Sequence, residues 1–131
     1  MPDKRAPRSG MSPAAWIAVA LLGGTAAAAR FLIDAAFASR AGHPFPLGVL
    51  AINLAGTLAL GLVAGAALRG QALVVVAGGG IGSFTTFSTW VLDSHRLADA
   101  GHTHLVWLNV GLALLAGFAA VALGHWVGET L

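Results

Sequence analysis

The segment Gly78-Gly79-Gly80-Ile81-Gly82-Ser83-Phe84-Thr85-Thr86-Phe87-Ser88-Thr89-Trp90 sets four glycines within five residues, then hydroxyls alternating with aromatic rings. It lies inside residues 70–92, a run without Asp, Glu, Lys or Arg. A run of that kind spans a bilayer, which takes about 20 apolar residues. Glycines there loosen a helix and bare its amides and carbonyls. In hydrocarbon each unpaired group is costly, so a break persists only where protein, an ion or water supplies partners. The expectation is a helix broken between Gly78 and Ser83, and a break at mid-membrane depth marks a candidate ion or substrate site.

The same signal repeats outward from this segment. Residues 9–29, 41–68 and 100–128 also lack Asp, Glu, Lys and Arg. Charged residues make up 9% of the 131-residue chain and its mean hydropathy is +0.82, far from a soluble domain. The pattern predicts an all-α membrane protein with four transmembrane helices, at about residues 13–37, 45–68, 71–95 and 104–127. Gly42-His43-Pro44 and Leu68-Arg69-Gly70 read as tight turns, and residues 96–103 as a polar connection. Such links hold no soluble domain, so residues 13–131 read as one four-helix unit behind a basic tail, residues 1–12. The tail carries Lys4, Arg5 and Arg8 and suits anionic lipid head groups. A signal peptide is the lesser reading, because the apolar run continues into Arg30 and Phe31 and no separate mature domain follows. There are no cysteines, which removes disulfides, thiolate metal sites and cysteine catalysis. The sequence pI near 10.6 comes from a few cations and points to no nucleic-acid surface. No nucleophile–base pair or metal cluster stands out, so an enzyme is not expected.

With four spans, the N-terminus, the Arg69 turn and the C-terminus share one side. That side holds four cations, Lys4, Arg5, Arg8 and Arg69; the other holds Arg40 and Arg96, or three counting Arg30. Cation excess sets orientation, and here it is small. Insertion in both orientations is expected, which allows an antiparallel homodimer. A unit this small also needs a partner across a two-fold axis to wall a polar path. Gly61-x-x-x-Gly65 and Gly124-x-x-x-Gly128 have the spacing that lets helix backbones approach, and either is a candidate interface.

Asn53 and Thr57 share a face of the second helix. An interhelical hydrogen bond is their common use; a pore-lining amide that donates to an anion is the sharper reading. Thr85, Thr86, Ser88 and Thr89 bond most simply to carbonyls four residues back, a reading weakened by the neighbouring glycines. Phe84, Phe87 and Trp90 recur every three residues. Core or lipid contact explains them, yet an aromatic ring has a positive edge. Edges hold an anion weakly enough to let it leave, as conduction requires. Arg30 and Asp34 stand i, i+4 in the first helix, as an ion pair near the membrane edge or as a cation drawing anions to a vestibule. Asp93 is expected at the mouth of any anion path. His43, His102, His104 and His125 lie at helix ends and read as interfacial.

In this order the residues resemble the Fluc/CrcB fluoride channels, small four-helix membrane proteins that export fluoride as dual-topology dimers. The resemblance runs from about Gly23 to the end of the fourth helix. Gly23, Ala26-Ala27 and Arg30-Phe31 are similar to the family's Gly-x-x-Gly-Ala-x-x-Arg-Tyr. Pro46-Leu47-Gly48-Val49-Leu50 with Asn53 and Gly56 is close to Pro-x-Gly-Thr-Leu-x-x-Asn-x-x-Gly, with Val49 for threonine. Gly82-Ser83-Phe84-Thr85-Thr86-Phe87-Ser88-Thr89-Trp90 matches Gly-x-x-Thr-Thr-Phe-Ser-Thr-Phe except at its last residue.

The resemblance implies passive, fluoride-selective export that relieves fluoride toxicity, by an antiparallel homodimer in the cell inner (plasma) membrane. It implies a fluoride pathway of Asn53, Phe87, Trp90, Thr86, Ser88 and Arg30. It also implies a structural sodium ion (Na+) at the dimer interface, held by backbone carbonyls of Gly82 and Thr85 from each subunit. Trp90 departs from the family's second phenylalanine, with a wider ring and an added N–H donor. In the fourth helix Asn109 is the one uncharged polar side chain well inside, and Ala113 stands about where a pore hydroxyl is usual. The alternative is a small proton-coupled multidrug exporter, which needs a membrane-embedded carboxylate. The first helix has no glutamate, and its Asp34 comes late, beside Arg30. A non-transporting scaffold would not need the ordered Asn53 and Thr-Thr-Phe-Ser motifs.

Overall fold

The computed structural model describes residues 10–40 and 42–131. The Lys4, Arg5 and Arg8 tail lies outside the described residues. Helix α1 (Pro13–Ala38) starts where the sequence provides a cap. Ser12 Oγ accepts the Ala15 N–H at 3.2 Å, and Pro13 occupies the first turn, where no N–H partner is available anyway. Ser12 Oγ also donates to Gln71 Oε1 at 2.8 Å, tying the start of the first span to that of the third. At the other end, Arg40 Nη1 donates to the Ala36 carbonyl at 3.0 Å, a cation on the negative pole of the helix.

Helix α2 (Leu47–Gly65) is shorter than hydropathy predicts. Residues that precede a proline are pushed out of the helical region, so Pro44 and Pro46 delay its start to Leu47. It ends early because Ala67 turns left-handed, at φ 53°. The N–H groups of Ala67 and Leu68 then bond back to the carbonyls of Ala64 and Val63 at 3.1 and 3.3 Å.

The third span, Gly70–Asp99, is composite. It runs through α3 (Gly70–Leu73), a π-helical stretch (Val74–Ile81), α4 (Gly82–Phe84), an extended step, and α5 (Ser88–Asp99). The expected disruption between Gly78 and Ser83 is present as wide π turns rather than as an opening. Bonds of the i→i+5 kind keep the amides paired, and Gly82 N–H reaches the Ala77 carbonyl. The chain leaves the helix only at Thr85, with φ −78° and ψ 160°. The glycines serve contact. A Cβ on Gly79 would lie 3.1 Å from Val19 Cα, and one on Gly80 3.0 Å from Leu22. Their absence lets α1 pack backbone-close on the π turns. α5 closes like α2, but with a glycine at the left-handed position, Gly101 at φ 78°.

Helix α6 (Thr103–Gly128) packs along α2, and here the two small-residue motifs meet. A Cβ on Gly61 would strike the Val121 carbonyl and one on Gly65 the His125 carbonyl. Reciprocally, Gly124 faces the Leu58 carbonyl and Gly128 the Leu62 carbonyl. Both motifs are therefore used within the chain, and neither is free to build a subunit interface. Among the described residues all regular elements are helical. Four helices are long and apolar enough to cross a membrane, so the chain is a multi-pass membrane protein. Val49 and Ile52 are fully buried, while Trp16, Phe31, Trp107 and Phe118 point outward.

Candidate ion pathway

The extended step after Phe84 is held from across the bundle. Asn53 Nδ2 donates to the Thr86 carbonyl at 2.9 Å, and Asn53 Oδ1 accepts the Thr86 N–H at 2.9 Å. The side-chain amide thus gives Thr86 the donor–acceptor pair that a neighbouring strand would give. An amide nitrogen carries two N–H bonds; the second has no acceptor among the described residues. Gly56, one turn on in α2, makes room for this contact, because a Cβ there would strike Thr85 Cγ2.

The hydroxyls divide into two kinds. Thr57 Oγ1 donates to the Asn53 carbonyl at 2.7 Å, and Thr85 Oγ1 to the Ile81 carbonyl at 3.0 Å, both four residues back. Thr86 acts instead as a cap for α5. Its Oγ1 accepts the Thr89 N–H at 3.2 Å and donates to Thr89 Oγ1 at 3.0 Å. Ser88 is exposed, with its Oγ 3.4 Å from Thr86 Oγ1.

Phe87 projects from the chain with 75% of its surface exposed. Its ring centroid lies 5.6 Å from that of Trp90, with the planes tilted by 43°. The helix break therefore brings Asn53, Thr86, Phe87, Ser88 and Trp90 to one region. Among the described residues, no backbone N–H bonds to the carbonyls of Gly82, Ser83, Phe84 or Thr85. Of these four residues Gly82 is exposed, and Ser83, Phe84 and Thr85 are half-buried.

Arg30 stands apart from the ion pair the spacing allows. The ion pairs among the described residues are His95–Asp99, Arg96–Asp93 and His125–Glu129. Arg30 Nε is instead buried without a hydrogen-bond partner, as are Trp90 Nε1 and Asn109 Oδ1. Asp34 packs over Gly48, where a Cβ would come within 2.6 Å of its Oδ1. Asp93 lies 3.4 Å from Arg96 Nη1 and lines a cavity of about 950 Å³ with Asp34, Arg40, His43, Arg96 and His102. This vestibule sits at the end of α1 and α5, away from the break. One contact escaped the sequence reading. Asn109, at 0% exposure, donates from Nδ2 to Ser94 Oγ at 3.0 Å, and Ser94 Oγ donates to the Trp90 carbonyl at 2.8 Å.

Residues 17–125 match the family model described as "CrcB-like protein, Camphor Resistance (CrcB)". The chain belongs to the CrcB family. A relative from Mycolicibacterium paratuberculosis, named "Fluoride-specific ion channel FluC 2", is 38% identical over 116 residues, covering 88% of this chain and 95% of its own. One from Symbiobacterium thermophilum, "Fluoride-specific ion channel FluC 1", is 40% identical over 119 residues, covering 83% and 96%. One of the same name from Leifsonia xyli is 41% identical over 124 residues, covering 90% and 89%. The matched residues of this CrcB chain include all four spans apart from the outer ends of the first and last.

Proposed function

We propose that this protein is a fluoride-selective channel of the plasma membrane that exports fluoride passively and so relieves fluoride toxicity. The observation that carries the reading is the Asn53 clamp on Thr86 beside the Phe87–Trp90 ring pair, in a chain whose relatives bear the name of fluoride-specific channels. Fluoride is small and strongly hydrated, so its shell must be replaced by weak donors in series. The second N–H of Asn53, the edges of Phe87 and Trp90 and the Ser88 hydroxyl are such donors. Thr86 gives its proton to Thr89 and contributes mainly by shaping the turn. Arg30, with an unpaired buried N–H, raises the local anion concentration. Asp93 and Asp34 stand at the vestibule and not between the rings, as an anion path requires. The path is a passive channel and not an enzyme. The multidrug-exporter reading is not favoured, because it needs a carboxylate in the narrow part.

The working unit in this reading is an antiparallel homodimer. Phe87, Ser88 and Gly82 face outward in one chain, and polar groups turned to hydrocarbon are costly, so a second copy is the natural cover. A cysteine placed at position 2 of this cysteine-free chain should label from both membrane faces; labelling from one face alone rejects dual topology. The unpaired carbonyls of Gly82 and Thr85 suit a hard cation such as sodium, which takes oxygen ligands. Bound there, sodium would be structural. Its expected signature is a thermal unfolding temperature that rises with sodium and not with choline. For the function itself, expression in cells lacking fluoride export should restore growth in fluoride. Absence of rescue by well-expressed, membrane-inserted protein counts against the proposal.

A further inference from the structure

We infer that Asn109 and Ser94 are positioning residues that set the tilt of the Phe87–Trp90 ring pair, an inference that rests on the channel reading above. Ser94 has one hydroxyl proton, and it goes to the Trp90 carbonyl at 2.8 Å. Asn109 must then be the donor in its 3.0 Å bond to Ser94 Oγ. The order Asn109, Ser94, Trp90 carbonyl is thereby fixed, and so is the orientation of the amide. That orientation is unfavourable for Asn109 alone. Its Oδ1 is buried without a partner, although the side chain lies at 0% exposure within an apolar helix. An apolar residue would pack there without that cost.

The relay has a definite end point. A hydroxyl bonded to the carbonyl four residues back bends a helix at that turn. Ser94 makes such a bond to Trp90, whose ring is one half of the pair 5.6 Å from Phe87. Asn109 grips the same hydroxyl from α6, so the turn of α5 that begins at Trp90 is referenced to a second transmembrane helix and not left to local preference. Trp90 is also where the sequence departs from the resembling family, and its Nε1 is buried without a partner. The wider ring must be aimed, and the relay is the contact that aims it.

The test uses full-length protein in liposomes, with Trp16, Trp107 and Trp126 changed to Phe so that Trp90 is the sole indole. Ser94→Ala and Asn109→Leu are each expected to shift Trp90 fluorescence emission and to slow fluoride efflux about tenfold, the effect of about one lost hydrogen bond. The double variant should be no slower than either single one, because both cut one chain. Ser94→Thr keeps the hydroxyl and should retain the emission and flux of the parent. A folded Ser94→Ala dimer with unchanged Trp90 emission overturns the inference, as does an additive double variant. If the parent conducts no fluoride, the channel reading falls, while the emission series still decides whether the relay aims Trp90.

Discussion

Replacing Asn53 by aspartate changes one atom and should disable the pathway. The carboxylate keeps an oxygen for the Thr86 N–H, now 2.9 Å from Oδ1. Where Nδ2 donated to the Thr86 carbonyl at 2.9 Å, a second oxygen would face that carbonyl. One hydrogen bond is lost, at about 1 kcal/mol, and a partly buried acceptor is left unpaired, at about 1–3 kcal/mol. The sum is roughly 2–4 kcal/mol, which at about 1.4 kcal/mol per factor of ten is a roughly 30- to 1,000-fold loss if the break geometry governs passage. The negative charge beside an anion path adds to the loss. Fluoride efflux from proteoliposomes, read with a fluoride electrode, measures it, and size-exclusion chromatography shows whether the proposed dimer is intact. Asn53→Leu serves as the companion, losing both bonds without adding charge. An intact Asn53→Asp dimer with flux within about threefold of the parent, under 1 kcal/mol, would refute the clamp as the organising contact.

Phe87→Ile keeps the bulk and removes the ring edge; it should abolish efflux from an intact dimer, whereas Trp90→Phe should preserve or raise it. Flux by Phe87→Ile equal to the parent's would show that ring edges do not carry the ion. Ala67→Gly should stabilise the protein by about 1 kcal/mol, because a left-handed alanine costs roughly that much, while Gly101→Ala should destabilise it similarly. Thermal unfolding in detergent checks the pair, and a lower melting temperature for Ala67→Gly would show that the Ala67 turn is not strained.

The spans were legible because a bilayer tolerates few charges, and the four charge-free runs locate the four crossings. Their ends were less so. Hydropathy started α2 at Phe45, across Pro46, and carried it through the left-handed Ala67, where backbone sterics decide. The glycine run was read for what glycine permits, a break, when its main use is the close approach of α1 to the π turns. The opening falls a few residues later, at Thr85, where Asn53 repairs the backbone from another helix. Arg30 and Asp34 have the spacing of an ion pair and do not form one, since Asp34 is drawn over Gly48. The two glycine motifs looked like possible subunit interfaces because spacing reveals close packing without naming the partner. The Ser94–Asn109 bond was invisible for a related reason. A serine near a helix end reads as local, and only the fold brings α6 against it.

The central claim is that this chain alone makes a passive, fluoride-selective path. The direct measurement is anion efflux from liposomes holding only the purified protein, driven by a potassium gradient with valinomycin and no proton gradient. Rapid fluoride efflux with chloride flux no greater than in empty liposomes is the predicted result. Equal chloride flux, or fluoride movement only when a proton gradient is imposed, would contradict the account.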